Sequence, residues 1–328
     1  KDSGQCQDCF LPAFDYRPKM SVQYALALTD FSTEKPLRFR YGFIGSSDNH
    51  QARPGTGYKE ITRKLNTESR LDMESEVGRN FMNPRLSDPK LPLAQKLELG
   101  PDSELECNGI QCSKISLPVQ SERASSFLYT GGLVAAHAES RNREEIWTAL
   151  SNREVYATSG ERILLWFNLV NHPDGSVIPM GAETEMSSSP KFQVRALGAQ
   201  KQLPGCSTLD KENISYEDLD RLCKGECFNP SDERKNISRI EVIRIRPQVY
   251  EGEPINALIE DPWKTFTCEP SQEGCEVEFT DEQFEGSNRE IVYYVRAVQE
   301  PTDAINGSGL DCDLDENSRC LKVNLCGD

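Results

Sequence analysis

Twelve cysteines in a chain of 328 residues constrain its fold before any periodicity is read. They stand at short spacings: Cys6 with Cys9, Cys107 with Cys112, Cys223 with Cys227, Cys268 with Cys275, and Cys312 near Cys320 and Cys326. In a reducing compartment so many thiols would be a liability, so disulfides in a periplasmic or secreted protein are the expectation. Local pairing of Cys107 with Cys112 and of Cys268 with Cys275 is expected. A zinc site built from "CQDC" with Cys107 and Cys112 is disfavoured, because disulfides form first under oxidising conditions. Eight of the cysteines fall after residue 165, and so do three N-x-[ST] sequons, at Asn213, Asn236 and Asn306. Those sequons permit a glycoprotein.

Charge divides the chain at the same place. Residues 1–165 are nearly neutral, whereas residues 166–328 set 16 Lys and Arg against 31 Asp and Glu, which accounts for almost all of the net −16. Such a surface repels phosphate backbones and anionic headgroups, so nucleic acid is excluded as a partner. The longest clean apolar run, "ILLWFNLV" at residues 163–170, is far short of the roughly 20 residues a spanning helix needs. No membrane span is expected. The length predicts two domains. The chain opens on Lys1 rather than Met, which suggests processing or a piece of something longer.

Within residues 1–165 the pattern is mixed α/β. "PLRFRYGFIG" places Phe39, Tyr41 and Phe43 on one face with the period of a strand. Residues 51–126 carry Pro-punctuated, charged sequence with no helical stripe, a long connection of the functional kind. "LVAAHAE" then reads as a buried strand. "RNREEIWTALSNRE" follows as a helix with Ile146, Ala149 and Leu150 on one face. A βα unit is the natural reading, with "VYATSG" and "RILLWFNLV" as further strands. Beyond residue 171, "PKFQVRAL", "RIEVIRIRP", "CEVEF" and "EIVYYVRAV" are strands between turn clusters, which predicts a disulfide-rich acidic β-sandwich over 166–328. In "RIEVIRIR" the apolar phase shifts between Val242 and Ile243, so that strand is buried on both faces or bulged.

The chemistry concentrates at "SSDNH". Alternate residues of an extended segment point the same way, so Asp48 and His50 can face one point, and a carboxylate with an imidazole suits Zn, Mn or Fe. A polar strand end with a capping Asp explains the same residues. His137, in "VAAHAE" with Glu139 two residues on, is a third candidate ligand; a neutral imidazole packed in the core is the simpler reading. His172 in "NHPDG" reads as a surface turn. Arg53 could hold a substrate phosphate or carboxylate, against the plainer reading of a loop Arg paired with an acid. The hydroxyls of "ATSG" fit a pocket lining or a turn equally. Asp311, Asp313 and Asp315 are spaced as in an EF-hand loop, but Glu316 replaces the required Gly and Lys322 the closing Glu, so a solvated acidic loop is favoured over a calcium site.

Three blocks, "GFIGSSDNHQARPGTGYKE", "GGLVAAHAESRNREEIWTALSNREVYATSGERILLWF" and "YYVRAVQEPTDAING", together closely resemble the C-terminal part of the bacterial family called domain of unknown function 3604. The likeness spans most of the chain and is weakest over residues 60–127 and in the cysteine-bearing loops. That family is similar to the polymerase-and-histidinol-phosphatase metal hydrolases. The resemblance implies that residues 1–165 form the C-terminal portion of a distorted (β/α) barrel, with Asp48 and His50 as ligands of a metal that hydrolyses a phosphoester. Those hydrolases also use a His-x-His pair and several more histidines, whereas this chain holds only His50, His137 and His172. An N-terminal half or partner chain is therefore expected to complete the site. The alternative is a catalytically inactive structural or binding protein, such as an assembly subunit or homo-oligomer.

Overall fold

The computed structural model describes residues 21–46, 132–223, 225–285 and 289–301, and the backbone alone of four short strands. Asp48, His50, Arg53, Asn306, Asp311 and Asp315 lie outside these residues, and of Asp313 only the backbone is described. In chain order the strands are β1 (Cys107–Asn108), β2 (Gln111–Cys112), β3 (Leu133–Ala136), β4 (Val155–Thr158), β5 (Leu164–Leu169), β6 (Ile178–Pro179), β7 (Lys191–Leu197) and β8 (Gln200–Gln202). They continue with β9 (Pro230–Arg234), β10 (Ile237–Ile245), β11 (Ile259–Thr267), β12 (Cys275–Thr280), β13 (Val292–Gln299), β14 (Cys312–Leu314) and β15 (Cys320–Val323). The α-helices are short: α1 (Val22–Ala27), α2 (Arg143–Ser151), α3 (Thr208–Asn213) and α4 (Tyr216–Cys223).

The architecture is mainly β, in small antiparallel sheets, and the expected partial (β/α) barrel is not its form. The correction turns on strand direction. β3 and β4 flank α2 as the sequence predicts, yet they pair antiparallel, Leu133 opposite Thr158 and Ala136 opposite Val155. A barrel needs a helix that carries the chain back along the sheet so that the next strand starts level with the last. Here α2 ends in a tight turn through Arg153 at φ +63, and the His137 N–H donates to the Glu154 carbonyl at 2.9 Å. The chain thus returns to the end of β3 that it had just left. β4 can only run back antiparallel.

A second correction concerns residues 37–46. Apart from one bridge between Asp30 and Leu37, this segment joins no ladder among the described residues. Its alternation survives as an aromatic chain, Phe39 to Tyr41 at 5.8 Å, Tyr41 to Phe43 at 5.9 Å, and Phe43 to Tyr294 at 5.7 Å.

The core lies between a four-stranded sheet, ordered β12-β7-β5-β6, and a three-stranded sheet, ordered β11-β10-β13. Inward residues of β5, β7 and β12 (Leu165, Phe167, Phe192, Val194, Phe279) meet Ile237, Ile240 and Val242 of β10 in one cluster. Burying each such side chain stabilises the fold by about 1.5–3 kcal/mol. The phase shift in β10 is a change of core with both faces buried: β10 pairs evenly with β13 from Arg239 to Ile245, and the extra residues lie in β11. Its register against β11 slips between Val242 and Arg244, and Ile243 and Ile245 then face the opposite side. There a second cluster forms with Leu26 and Ala27 of α1 and with Ile255 and Leu258 of a 3-10 turn. α1 therefore closes the outer face of the sheet, and β5 runs across residue 165, where the sequence places the domain boundary.

Two ionic networks lock this packing. Arg244 is 2 % exposed on β10, and Asp281, which follows β12, is fully buried. Arg244 Nη1 donates to both Asp281 carboxylate oxygens at 2.9 Å, Nε and Nη2 grip Glu260 at 2.6 and 3.0 Å, and Nη2 reaches Gln283 at 2.7 Å. The guanidinium lies over the Trp263 ring at 4.3 Å, and the Tyr293 hydroxyl donates to Asp281 at 2.6 Å. All five guanidinium donors find acceptors, as a buried arginine requires.

The second network binds α1 to the sheet. Arg296 pairs with Glu241 and Asp261, and Gln23 of α1 donates to Asp261 at 2.5 Å and to the Tyr294 hydroxyl at 2.7 Å. Burial, then the Asp261 charge, pushes Tyr294 up to about 12. The folded state therefore keeps this phenol protonated where the unfolded chain, with a tyrosine near 10, has lost its proton. The contribution is whole below pH 10 and falls away as pH rises toward 12. Between pH 9 and pH 11, urea unfolding of the wild type should lose about 1.4 kcal/mol more than that of Tyr294→Phe, in which the other raised tyrosines still contribute.

Candidate functional site

Of the metal-ligand candidates singled out by sequence, His137 alone lies among the described residues, at the end of β3 beside α2. Asn142 caps α2 by accepting from the Glu145 N–H at 2.8 Å, and Glu144 and Glu145 suit the positive end of the helix dipole. Of the predicted inner face only Ala149 is buried. Ile146 and Leu150 instead join Val134, Ala136, Ala138 and Glu139 around an open groove of about 420 Å³. Trp147 beside them is 70 % exposed. One face of this unit is thus apolar and open to solvent.

The opposite face is anchored. His137 Nε2 lies 2.9 Å from the Leu165 carbonyl, which places its proton on that nitrogen, and its ring packs on Tyr156 and Trp166 at 5.6 and 6.1 Å. The Tyr156 hydroxyl donates to the Ile163 carbonyl at 2.9 Å. Together they dock the hairpin onto the start of β5. At the turn after β6, Gly181 at φ +89 meets the carbonyl of Arg153 so closely that a Cβ would stand 2.2 Å away, and Arg153 pairs with Glu183 at 2.7 Å.

The segment leading to Asp48 follows β4. A Cβ on Gly42 would stand 3.1 Å from the Arg153 Cβ, and one on Gly45 would stand 2.8 Å from the Leu133 carbonyl oxygen and 3.3 Å from that of Thr158. Only glycine permits this approach at residue 45. Gly45 therefore sits at the Leu133–Thr158 end of the hairpin, while His137 stands at the other end, beside Glu154. The described chain reaches Ser46 at the end away from His137.

His172 is held in its own turn. Its Nδ1 lies 2.6 Å from Asp174, and Ser176 donates to the same carboxylate at 2.6 Å. Those hydrogen bonds, Ser176 first, hold the Asp174 carboxyl well below the usual range. Thr158 accepts from the Gly160 N–H at 3.2 Å, a turn contact. Asn213 is exposed at the end of α3, whereas Asn236 is half-buried and donates to Glu300 at 3.1 Å. Disulfides join Cys206 to Cys227 and Cys268 to Cys275, the second closing the turn between β11 and β12. In the β1–β2 hairpin, Cys107 is the register partner of Cys112.

Sequence reasoning did not anticipate the clustering of Cys206, Cys223 and Cys227, whose sulfurs lie within 4.8 Å of one another. Among the described residues they are the one group of three or more metal-ligating side chains brought together. The short spacing of Cys223, the last residue of α4, and Cys227 beyond it is visible in the sequence. Cys206 comes from a separate turn.

The chain is mainly β, and its amino-acid sequence places it in a family defined by sequence. The family described as protein of unknown function (DUF3604) matches residues 19–307, and the chain belongs to it. No curated protein matches the chain. No solved structure does either. No helix among the described residues is long and apolar enough to cross a membrane.

Proposed function

We propose that the chain is part of a divalent-metal-dependent hydrolase acting on phosphoesters, with Asp48 and His50 as two of the ligands and the others supplied by an upstream half or partner chain. The observation that carries this reading is the apolar face of β3 and α2 that no described residue covers, which includes Trp147 at 70 % exposure and belongs to the hairpin against which Gly45 packs. Apolar surface rimmed by Glu139 and Arg141 marks a place where another polypeptide docks. The likeness of "SSDNH" to the ligand motif of polymerase-and-histidinol-phosphatase hydrolases supports the chemistry.

The donor set fits a transition ion in type and falls short in number. A carboxylate and an imidazole suit Zn, Mn or Fe, but such sites take four or more ligands, and His137 Nε2 is already committed to a carbonyl. A bound ion would lower the pKa of its water and polarise a phosphoryl oxygen. Asp48 and His50 would hold it, and Arg53 would orient the phosphate. The two disulfides among the described residues support a periplasmic or secreted setting, where the exposed Asn213 is the better glycan acceptor of the two described sequons.

A second reading has its own observation. With His137 and His172 both engaged in local structure, the chain could be a binding or assembly subunit without chemistry. Hydrolysis of p-nitrophenyl phosphate with added Mn²⁺ or Zn²⁺, by the protein together with its upstream half, distinguishes them. Turnover that falls about 100-fold or more in Asp48→Asn supports the hydrolase. Absence of turnover, with a homo-oligomer by light scattering, supports the subunit.

A further inference from the structure

The excursion between β8 and β9 carries chemistry that the proposed hydrolase does not use. It leaves and re-enters through a narrow neck, where the Leu203 N–H donates to the Asn229 carbonyl at 2.7 Å, and the Cys206–Cys227 disulfide crosses just inside. Between these cysteines lie α3 and α4, with Leu209 and Tyr216 strongly exposed. Cys223, the last residue of α4, brings a third sulfur to the crosslink. Its Sγ lies 3.0 Å from Cys227 Sγ and 3.9 Å from Cys206 Sγ.

We propose that Cys206, Cys223 and Cys227 form an internal disulfide-exchange site, in which Cys223 takes over the bond to Cys227 and releases Cys206. The Cys223 thiolate attacks Cys227 Sγ; the Cys223–Cys227 bond forms as the Cys206–Cys227 bond breaks. The electron pair leaves on Cys206 Sγ, which takes up the proton that Cys223 gave up. One disulfide and one thiol exist before and after, so no outside oxidant or reductant enters.

The surroundings serve both states. The Cys223 thiol donates to the Leu219 carbonyl at 3.1 Å, and the Gly225 carbonyl oxygen waits 3.3 Å from Cys206 Sγ for the thiol formed there. Each sulfur that carries the proton in turn thus has a backbone acceptor. Cys223 now lies beside the disulfide rather than in line with it, so rotation about its Cα–Cβ bond precedes attack. The exchange moves the crosslink from a separation of 21 residues to one of four, and leaves residues 207–222 tied at one end. The excursion with its exposed Leu209 and Tyr216 then gains freedom to move.

The test is a disulfide map of the intact protein. Trypsin cuts after Lys201, Lys211, Arg221, Lys224 and Arg234, which places Cys206, Cys223 and Cys227 on separate peptides, 202–211, 222–224 and 225–234. Native protein is held at pH 8.5, where an ordinary thiol is half ionised, then acid-quenched, alkylated and digested. The expected map contains 202–211 joined to 225–234 and also 222–224 joined to 225–234, the scarcer at roughly 1 % of chains or more. Cys223→Ser retains the first pairing alone, and Cys206→Ser forms the second. A wild-type map with only one of these pairings at that level, or with Cys223 joined to a cysteine outside the trio, overturns the proposal.

Discussion

Arg244→Ala is expected to cost about 3–5 kcal/mol in urea unfolding, the loss that follows when one partner of a buried ion pair is removed. Asp281 is fully buried and, among the described residues, would keep the Tyr293 hydroxyl and the Gln283 N–H, at 2.6 and 3.0 Å, to balance its charge. Glu260 would also lose two hydrogen bonds and Gln283 one, and the Trp263 ring would keep only the Lys264 ammonium of its two described cations. Because whole domains have about 5–15 kcal/mol of stability, this one change removes a large part of it. The double variant Arg244→Met/Asp281→Leu should lose less than Arg244→Ala, since it buries no uncompensated charge. A double variant as unstable as the single one would show that packing, not charge, dominates at Arg244.

Phe279→Ala should be comparably severe, at about 3–5 kcal/mol. Its ring lies 5.2 Å from Phe192 and 6.5 Å from Phe167 on its own sheet, and 5.7 Å from Phe266 and 6.0 Å from Trp263 on the facing sheet. Removing it opens a cavity where four rings meet, and those rings belong to strands too firmly paired to collapse into it. Phe279→Leu, which refills part of the space, should retain most of the stability by the same urea titration. An equal loss in both variants would mean that ring contacts rather than volume set the cost.

The elements themselves were largely legible, because period and turn chemistry act locally. Strands β7, β10, β12 and β13, the helix after Ser140 and the shift of apolar phase at Val242 lie in the amino-acid pattern, whereas β11, interrupted by Pro262 and Lys264, was not read from it. Direction was not legible. "LVAAHAE", "RNREEIWTALSNRE" and "VYATSG" read the same whether the second strand runs parallel or antiparallel, and the choice rests on Arg153 in the left-handed region and on the His137 N–H bonding to Glu154. The alternation at Phe39, Tyr41 and Phe43 was legible as a face, but a face does not ensure a neighbouring strand.

At the candidate site, sequence gave the residue types and the structure gave their surroundings. Nothing in "VAAHAE" foretells that His137 would reach the Leu165 carbonyl 28 residues away. The cysteine trio was half visible, as the short spacing of Cys223 and Cys227, and hidden in its third member. The arginine networks were hidden for the same reason. Arg244 alternates with the apolar Ile243 and Ile245, so the pattern gives no sign of a buried cation, and its partners Glu260 and Asp281 come from elsewhere in the chain.

The most direct test of the functional account is the transition-metal content, per chain, of the protein isolated from its native host with whatever chain accompanies it. The measurement is paired with an Asp48→Asn/His50→Ala variant prepared in the same way. Near-stoichiometric Zn, Mn or Fe that is lost in the variant is the predicted result. Metal-free native protein, still empty after exposure to Zn²⁺ and Mn²⁺, would contradict the account and leave Asp48 and His50 as an ordinary polar segment.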